Sequence, residues 1–472
     1  MSQSSPAESF QGRRLHFIAI GGAGMSGLAL VCHGLGSEVS GSDRSDSTYM
    51  ARLRVAGLNP SLGHDPEQVP AEAEIVVSTA IGDDNVELVR ARERGQRVLH
   101  RADLLAELTR TKRLIAVAGA HGKTTTSGMI AHALQRAGAD PAFILGGELP
   151  GAGPDGGRAN AGWGAGEVIV AEADESDGSF LRLEPDVALI TNVELDHHSH
   201  WSGEAELWRA FEGFAASARA VVAEAGESAR RLAATCSFTI DSEGAPPSAD
   251  LRATSIRAAA GGSEFELQSP AGTIAVRLGV PGRHNVANAT SALAVLHAAG
   301  AGESLPPLAE LAATLESFPG MGRRLERKGE RSGALIFDDY AHHPTEVAAS
   351  LAALRELPHR RLIAVFQPHL YSRTKALAPR FGRALATADV VGVLDVYAAR
   401  EQATGELEGV SGLSVARETA SAAPGRRVLW LQGIETAERV LLPELAEGDV
   451  LVTIGAGDVF RFADRLIEGG GL

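Results

Sequence analysis

Two glycine-rich segments carry the clearest chemistry in this chain. The first is Gly21–Ser26 with Gly27, which follows an apolar run and opens an Ala/Leu-rich stretch of helical spacing. Asp43 lies about 20 residues further on, the arrangement of a dinucleotide-binding fingerprint. Gly22, Gly24 and Gly27 permit a tight turn and a close approach of a diphosphate to a helix N-terminus. Ala23, Met25, Ser26 and Asp43 complete this candidate diphosphate site, whose pattern alone does not separate NAD from other diphosphates or from a packing turn. The second segment is Gly119, Ala120, His121, Gly122, Lys123, Thr124, Thr125 and Thr126, between an apolar run and a helical segment, Thr124–Ala137. It has the chemistry of a phosphate-binding loop. Backbone amides face phosphate oxygens, the Lys123 ammonium reaches the β/γ oxygens, and the Thr124 hydroxyl can take Mg²⁺. It departs from the full pattern at Val117, where a glycine is usual. Lysine is scarce, with Lys112, Lys123, Lys328 and Lys375 the four among 44 Lys and Arg. That one of them falls on this position adds weight.

Five further polar clusters each follow an apolar run. Glu172, Asp174, Glu175 and Asp177 crowd four carboxylates into six residues, which calls for solvation or a hard cation such as Mg²⁺. Asn192–His200 holds His197, His198 and His200 at a spacing that fits no common zinc pattern. Asn285 and Asn288 stand three apart near a helix start, as caps or as ligand contacts. Asp338–Glu346 and Gln367–Thr374 place Tyr340, His342, His369 and Arg373 at what read as C-terminal strand edges, where open α/β sheets bind ligands.

These motifs need strands to carry them. Nearly continuous apolar runs predict parallel strands at Leu15–Ile20, Glu74–Ser78, Leu114–Ala118, Val168–Ala171, Val187–Thr191, Ala220–Ala223, Leu335–Asp338, Leu362–Phe366, Val390–Asp395, Val428–Leu431 and Val450–Thr453, alternating with helical segments. Thr254–Val280 alternates polar and apolar residues between turn signals and predicts a small antiparallel meander. Gly151–Gly166 and Gly244–Asp250 read as loops. The 472 residues, 44% hydrophobic and 22% charged, suit about three domains and exclude a mainly disordered chain. The net charge of −15 argues against non-specific nucleic-acid binding. Two lone cysteines, Cys32 and Cys236, build neither a disulfide framework nor a metal cluster. No apolar run is long enough to span a membrane, and the polar N-terminus reads as a short disordered lead-in, so a cytoplasmic setting is expected.

With the motifs in order, the chain resembles the Mur ligase family of ATP-dependent amide-bond ligases over essentially its whole length. The carrying segments are Gly21–Ser26, Gly119–Thr126, Glu172–Phe180, Thr191–His197, Arg283–Asn288, Asp338–Glu346, Gln367–Thr374, and Ala399–Gln402 with Gly409–Gly412. The shortened loop at Val117 is typical of that family. The resemblance implies an α/β, three-domain architecture. A Rossmann-like domain (1–110) binds a UDP-sugar. A central P-loop ATPase-like domain with a small antiparallel sheet (111–318) binds ATP. A Rossmann-like domain (319–472) binds the amino acid. It reassigns the first fingerprint from NAD to a UDP diphosphate.

Within the family the resemblance is strongest to members that join L-alanine to the lactyl carboxylate of UDP-N-acetylmuramate through an acyl phosphate in peptidoglycan precursor synthesis; for this chain the sequence leaves monomer and homodimer both open. It implies ATP, two Mg²⁺ ions and the following roles. Lys123, Glu172 and His197 are catalytic. Thr124 holds one Mg²⁺, and Glu172 with His197 holds the second, with Glu175 as the reserve for Glu172. Asn285, Asn288, Arg324 and Asp339 face the nucleotide, and Tyr340, His342 and Arg373 frame the amino acid. The stretch after Asp196 departs from the family pattern, so His198 and His200 are not carried over, and Leu370 stands where some relatives have arginine. Three alternatives remain: a ligase that attaches a tripeptide to the same sugar, an oxidoreductase using the first fingerprint, and a non-catalytic nucleotide-binding regulator.

Overall fold

The computed structural model describes residues 9–153, 156–195, 201–241, 248–259, 261–399 and 401–469. The chain divides into two compact units, one of residues 1–256, 265–278 and 287–319, the other of 257–264, 279–286 and 320–472. The first carries two sheets and the second carries one.

The first sheet is wholly parallel. Its strands are β1 (Arg14–Ile18), β2 (Glu38–Asp43), β3 (Ser61–Leu62), β4 (Glu74–Val77) and β5 (Val98–His100), in the order β3-β2-β1-β4-β5. Strand order reverses between β1 and β4, the place where doubly wound sheets open a ligand crevice. The glycine loop leaves the end of β1 there and enters the helix Ala23–Gly34.

The second sheet has ten strands: β6 (Arg113–Ala118), β7 (Ala142–Leu149), β8 (Ala159–Gly162), β9 (Val168–Glu172), β10 (Val187–Ile190), β11 (Ala220–Glu224), β12 (Cys236–Ile240), β13 (Leu251–Ala259), β14 (Gly262–Ser269) and β15 (Gly272–Leu278). Their order is β15-β14-β13-β12-β11-β10-β6-β9-β7-β8. β6 lies between β9 and β10, all parallel and apolar along their length, so the segments leaving these three strands emerge side by side. One expectation is extended and one corrected here. The meander expected over Thr254–Val280 is present as β13–β15 and, through β13 pairing in parallel with β12, continues the main sheet. The Gly/Pro-rich stretch read as a loop contains β8, paired antiparallel with β7. Ala159–Gly162 is four small or polar residues that show no strand pattern on their own, and they are held by the helix Ala23–Gly34 against which they pack.

The third sheet, in the second unit, has β16 (Glu326–Arg331), β17 (Ala334–Asp339), β18 (Arg361–Phe366), β19 (Val390–Leu394), β20 (Arg427–Gln432) and β21 (Asp449–Ile454), in the order β16-β17-β21-β18-β19-β20. Only the edge strand β16 runs antiparallel. Helices cover both faces. Leu351, Phe366 and Phe381 lie in the core on one side, and Ile363, Leu451 and Phe462 in the core on the other. Every parallel strand expected from an apolar run is present, with ends moved by one or two residues.

Candidate active site

The glycine loop is shaped by Asp43. Its Oδ2 accepts the Gly21 amide at 2.9 Å and its Oδ1 accepts the Ser45 amide at 3.0 Å. A methyl group on Gly21 would stand 2.8 Å from Met50 and 3.0 Å from the Asp43 carboxylate, so only glycine passes. Ser26 turns inward, its hydroxyl donating to the Ala23 carbonyl at 3.0 Å. Ala23 also accepts the Asn160 side-chain amide at 2.7 Å, which ties this loop to β8 of the second sheet. Gly24 lies against Arg101. In front of the loop is a cleft of about 660 Å³ lined by Gly21, Gly22, Met25, Asp43, His64 and Asn85 among others. Gly22, Met25 and Asp43 thus line the cleft, whereas Ala23, Gly24 and Ser26, expected at the same site, do not.

At the second loop, two glycines are obligatory. Gly119 has φ 124°, and a methyl group there would lie 2.2 Å from Thr191 Oγ1. Gly122 has φ 83°, and a methyl group there would lie 2.5 Å from Asn288 Oδ1, which places Asn288 on the loop as its sequence position suggests. Asn192 clamps the loop from β10: its Oδ1 accepts the His121 amide at 3.0 Å and its Nδ2 donates to the His121 carbonyl at 3.0 Å. The His121 ring faces Glu194 Oε2 at 3.0 Å. The helix Lys123–Arg136 starts directly after Gly122, and its apolar residues, Met129, Ile130, Ala133 and Leu134, are buried. Thr125 and Thr126 are buried in its first turn.

Lys123 is enclosed. Its Nζ donates to the Gly119 carbonyl at 2.5 Å and to Glu175 Oε1 at 3.0 Å, with Glu175 Oε2 at 2.9 Å. Burial opposes the ammonium charge, but Glu175, Asp174 and Glu172 outweigh it and hold Lys123 protonated. Glu175, the reserve metal ligand, is therefore the partner of Lys123, and Trp201 Nε1 holds its backbone carbonyl at 3.1 Å. Thr124 Oγ1 donates to Glu172 Oε2 at 2.8 Å, and the Gly146 amide donates to the same oxygen at 3.0 Å. The resemblance assigns Thr124 and Glu172 to different ions, yet their oxygens are close enough to serve one. Burial disfavours the charge of Asp174, but Lys123 and Arg101 prevail and hold its carboxyl below the usual range. His197 lies outside the described residues.

In the second unit, the segments after β17 and β18 meet. The His342 and His369 rings are 6.3 Å apart, His369 stacks on Tyr397 at 5.8 Å, and Arg373 Nη1 lies 3.4 Å from His369 Nδ1. Arg373 is 8% exposed, a buried guanidinium. Leu370, between them, takes φ 68° at the start of the helix Tyr371–Leu385, a left-handed conformation that costs of order 1 kcal/mol and bends the chain so that His369 and Arg373 face each other. Tyr340 sits edge-on to His342 at 5.5 Å, under the guanidinium groups of Arg323 and Arg324. Asp339 is buried: Ser350 donates to its Oδ2 at 2.6 Å and the Ala341 amide to its Oδ1 at 2.9 Å. Burial pushes its carboxyl up to about 6, against the pull of Ser350 and Arg324. Asn285 donates to the Pro281 carbonyl at 2.7 Å, the bond of a residue that stabilises its helix start.

The sequence motifs give no role to Arg101, Asn192, Glu194, Arg323 or His369. His369 and Asn192 sit inside motifs already singled out. Arg323 was adjacent to an assigned arginine; it pairs with Asp338 at 3.0 Å. Arg101 has no motif around it, and only the fold brings it to the acidic segment.

Comparison with known proteins agrees along the whole chain. Residues 14–113 match the Mur ligase family, catalytic domain; residues 117–296 match the Mur ligase middle domain; and residues 323–457 match the Mur ligase, glutamate ligase domain. A UDP-N-acetylmuramate–L-alanine ligase of Streptomyces coelicolor is 41% identical over 463 residues, covering 96% of this chain and 97% of that one. That of Kineococcus radiotolerans is 44% identical over 471 residues, covering 96% of each. The crystal structure of the Thermotoga maritima UDP-N-acetylmuramate-alanine ligase superposes with a TM-score of 0.82 at 27% identity, covering 97% of this chain and 98% of that one.

Proposed function

Because the chain belongs to the Mur ligase family, we propose that it is an ATP-dependent ligase that joins L-alanine to the lactyl carboxylate of UDP-N-acetylmuramate, releasing ADP and phosphate, in peptidoglycan precursor synthesis. The observation that carries this reading is the junction around β6, where Lys123 is held charged beside a loop of backbone amides and Thr124 meets Glu172. The reaction has one central difficulty: an anionic carboxylate must approach an anionic triphosphate. Lys123 answers it electrostatically, at a buried point where charge stabilisation is strong. The lactyl oxygen attacks the γ-phosphorus as the bond to ADP breaks. The alanine amine then attacks the acyl carbonyl, loses a proton, and phosphate leaves.

The donor set around Thr124 and Glu172 consists of hard oxygens and suits Mg²⁺. Four carboxylates in 172–177 face the cations Lys123 and Arg101, an excess of negative charge that a divalent ion would offset. Bound there, Mg²⁺ would neutralise phosphate charge. We assign His197 to a second ion on the family resemblance. The cleft before Gly22 and Met25 suits the UDP moiety, with Asp43 shaping the glycine loop. Gly119–Thr125 and Asn288 suit the ATP phosphates and base; Asn285, Arg324 and Asp339 we assign to the nucleotide, and Tyr340, His342 and Arg373 to the amino acid. We infer three functional domains, 1–110, 111–318 and 319–472. No helix among the described residues is long and apolar enough to cross a membrane. The buried free thiols of Cys32 and Cys236 suit a cytoplasmic setting. An oxidoreductase reading leaves Gly119–Thr126 without a purpose.

The test is phosphate release from ATP in the presence of UDP-N-acetylmuramate, comparing individual amino acids with the tripeptide that a recycling ligase would use. L-alanine should support turnover and the tripeptide should not; the reverse outcome overturns the assignment.

A further inference from the structure

Arg101 connects the two loops of the first unit. It is the first residue of the helix Arg101–Thr109, where a cation opposes the helix dipole. The helix start is already satisfied without it: His100 Nδ1 accepts the Ala102 amide at 3.2 Å, and Asp103 accepts the His100 amide at 3.3 Å. Its guanidinium is used elsewhere. Nη2 lies 3.3 Å from Asp174 Oδ2 and 3.6 Å from Asp177 Oδ2, in the segment whose Glu175 holds Lys123. Nη1 lies on the other side, 3.5 Å from where a methyl group on Gly24 would stand. The side chain is 20% exposed, so the fork is reachable from solvent while its position is set by two carboxylates.

The remainder of this inference rests on the proposed function. A sugar nucleotide whose diphosphate lies at the glycine loop must carry its reacting carboxylate from that loop toward Lys123. Arg101 stands between the two. We infer that Arg101 binds the lactyl carboxylate of the sugar nucleotide, exchanging its contacts with Asp174 and Asp177 for a two-pronged pair with the substrate. The exchange leaves no guanidinium buried without a partner, because one carboxylate replaces another. The planar fork fixes the direction of the carboxylate as well as its charge, which is what an in-line attack on phosphorus requires. The acidic residues hold the arginine aligned before the substrate arrives.

Calorimetry on the full chain tests this with two ligands that differ by the lactyl carboxylate group, UDP-N-acetylmuramate and UDP-N-acetylglucosamine. The wild-type chain should prefer the former. Arg101→Ala should cut that preference roughly 10- to 150-fold, the range of a charge-assisted bidentate pair, while the affinity for UDP-N-acetylglucosamine changes little. Arg101→Lys should retain part of the preference, and it carries the test if the alanine variant does not fold. An Arg101 variant that keeps the full preference, one that loses both ligands equally, or a wild-type chain with no preference overturns the inference. A wild-type chain that binds neither ligand overturns the proposed function itself, which is a distinguishable result.

Discussion

Thr124 Oγ1 donates a hydrogen bond to Glu172 Oε2 at 2.8 Å, which joins the start of the phosphate-loop helix to the end of the neighbouring strand β9. We propose that two oxygens so placed form one edge of a hard-cation site. Glu172→Gln keeps the shape and removes the charge. It should raise the Mg²⁺ concentration needed for half-maximal activity at least tenfold, while thermal stability falls by less than about 1 kcal/mol because the side chain is not fully enclosed. A magnesium titration of ATP-dependent activity, with melting curves alongside, checks both. Unchanged magnesium dependence would mean the acidic segment is only a solvated turn.

Lys123 and Glu175 predict a separable pair of effects. Lys123→Ala removes a charge aimed at the transferring phosphoryl group, which should lower kcat by ~10²-fold or more. It also takes from the buried Glu175 its ammonium partner, so stability should drop by up to about 3 kcal/mol. Adding Glu175→Gln should recover most of the stability and none of the activity. Lys375→Ala, a change on a half-exposed side chain beside Glu406, should leave both within error. Recovery of activity in the double variant would assign Lys123 a purely structural role.

Much of this was legible in the chain because it is local. The phosphate loop is a contiguous strand, turn and helix, and strands buried on both faces stand out as apolar runs. What stayed hidden depends on partners distant in sequence. β2 reads Glu-Val-Ser-Gly-Ser-Asp and shows no apolar run, though it pairs with β1 along its length. β16, Glu326–Arg331, is charged because it is an exposed edge, where charge discourages pairing with other chains. The pairing of Lys123 with Glu175 crosses 52 residues and exists because β9 lies beside β6. Arg101 is less legible still: its partners Asp174 and Asp177 belong to the second sheet's loops while its helix belongs to the first.

Asp339 predicts a dependence on pH. Its carboxyl is pushed from an ordinary value of 3.8 up to about 6, so between those values the folded chain binds more protons than the unfolded chain. This group therefore opposes folding progressively as pH rises from about 4 to 6, and above 6 the full penalty, about 3 kcal/mol, is present. Asp339→Asn keeps the acceptor for the Ala341 amide and cannot ionise. At pH 7.5 it should be more stable than the wild-type chain by about 2 kcal/mol, and the advantage should vanish near pH 4. Denaturant unfolding of both chains across this range measures the difference; a constant difference would refute the burial argument.

Arg373 predicts a separation of the two half-reactions. It is buried, its Nη1 faces His369 Nδ1 at 3.4 Å, and His369 is fixed by its stack on Tyr397. Since the guanidinium can only donate, Nδ1 is the acceptor of this contact, and His369 helps to hold the fork in place. If the fork pairs with the alanine carboxylate, Arg373→Ala should weaken alanine binding roughly 10- to 150-fold, equivalent to about 1.5–3 kcal/mol. Acyl phosphate formation needs no alanine and should survive, to be trapped by borohydride reduction to the alcohol. Lysine at this position should rescue only part of the loss, because it keeps the charge without the planar fork. His369→Ala, which removes one contact of the fork and leaves the guanidinium itself, should raise the KM for alanine less than Arg373→Ala does, with kcat nearly unchanged. If Arg373→Ala instead abolishes the trapped acyl phosphate and leaves the alanine KM unchanged, the arginine serves the nucleotide step and the amino-acid site lies elsewhere.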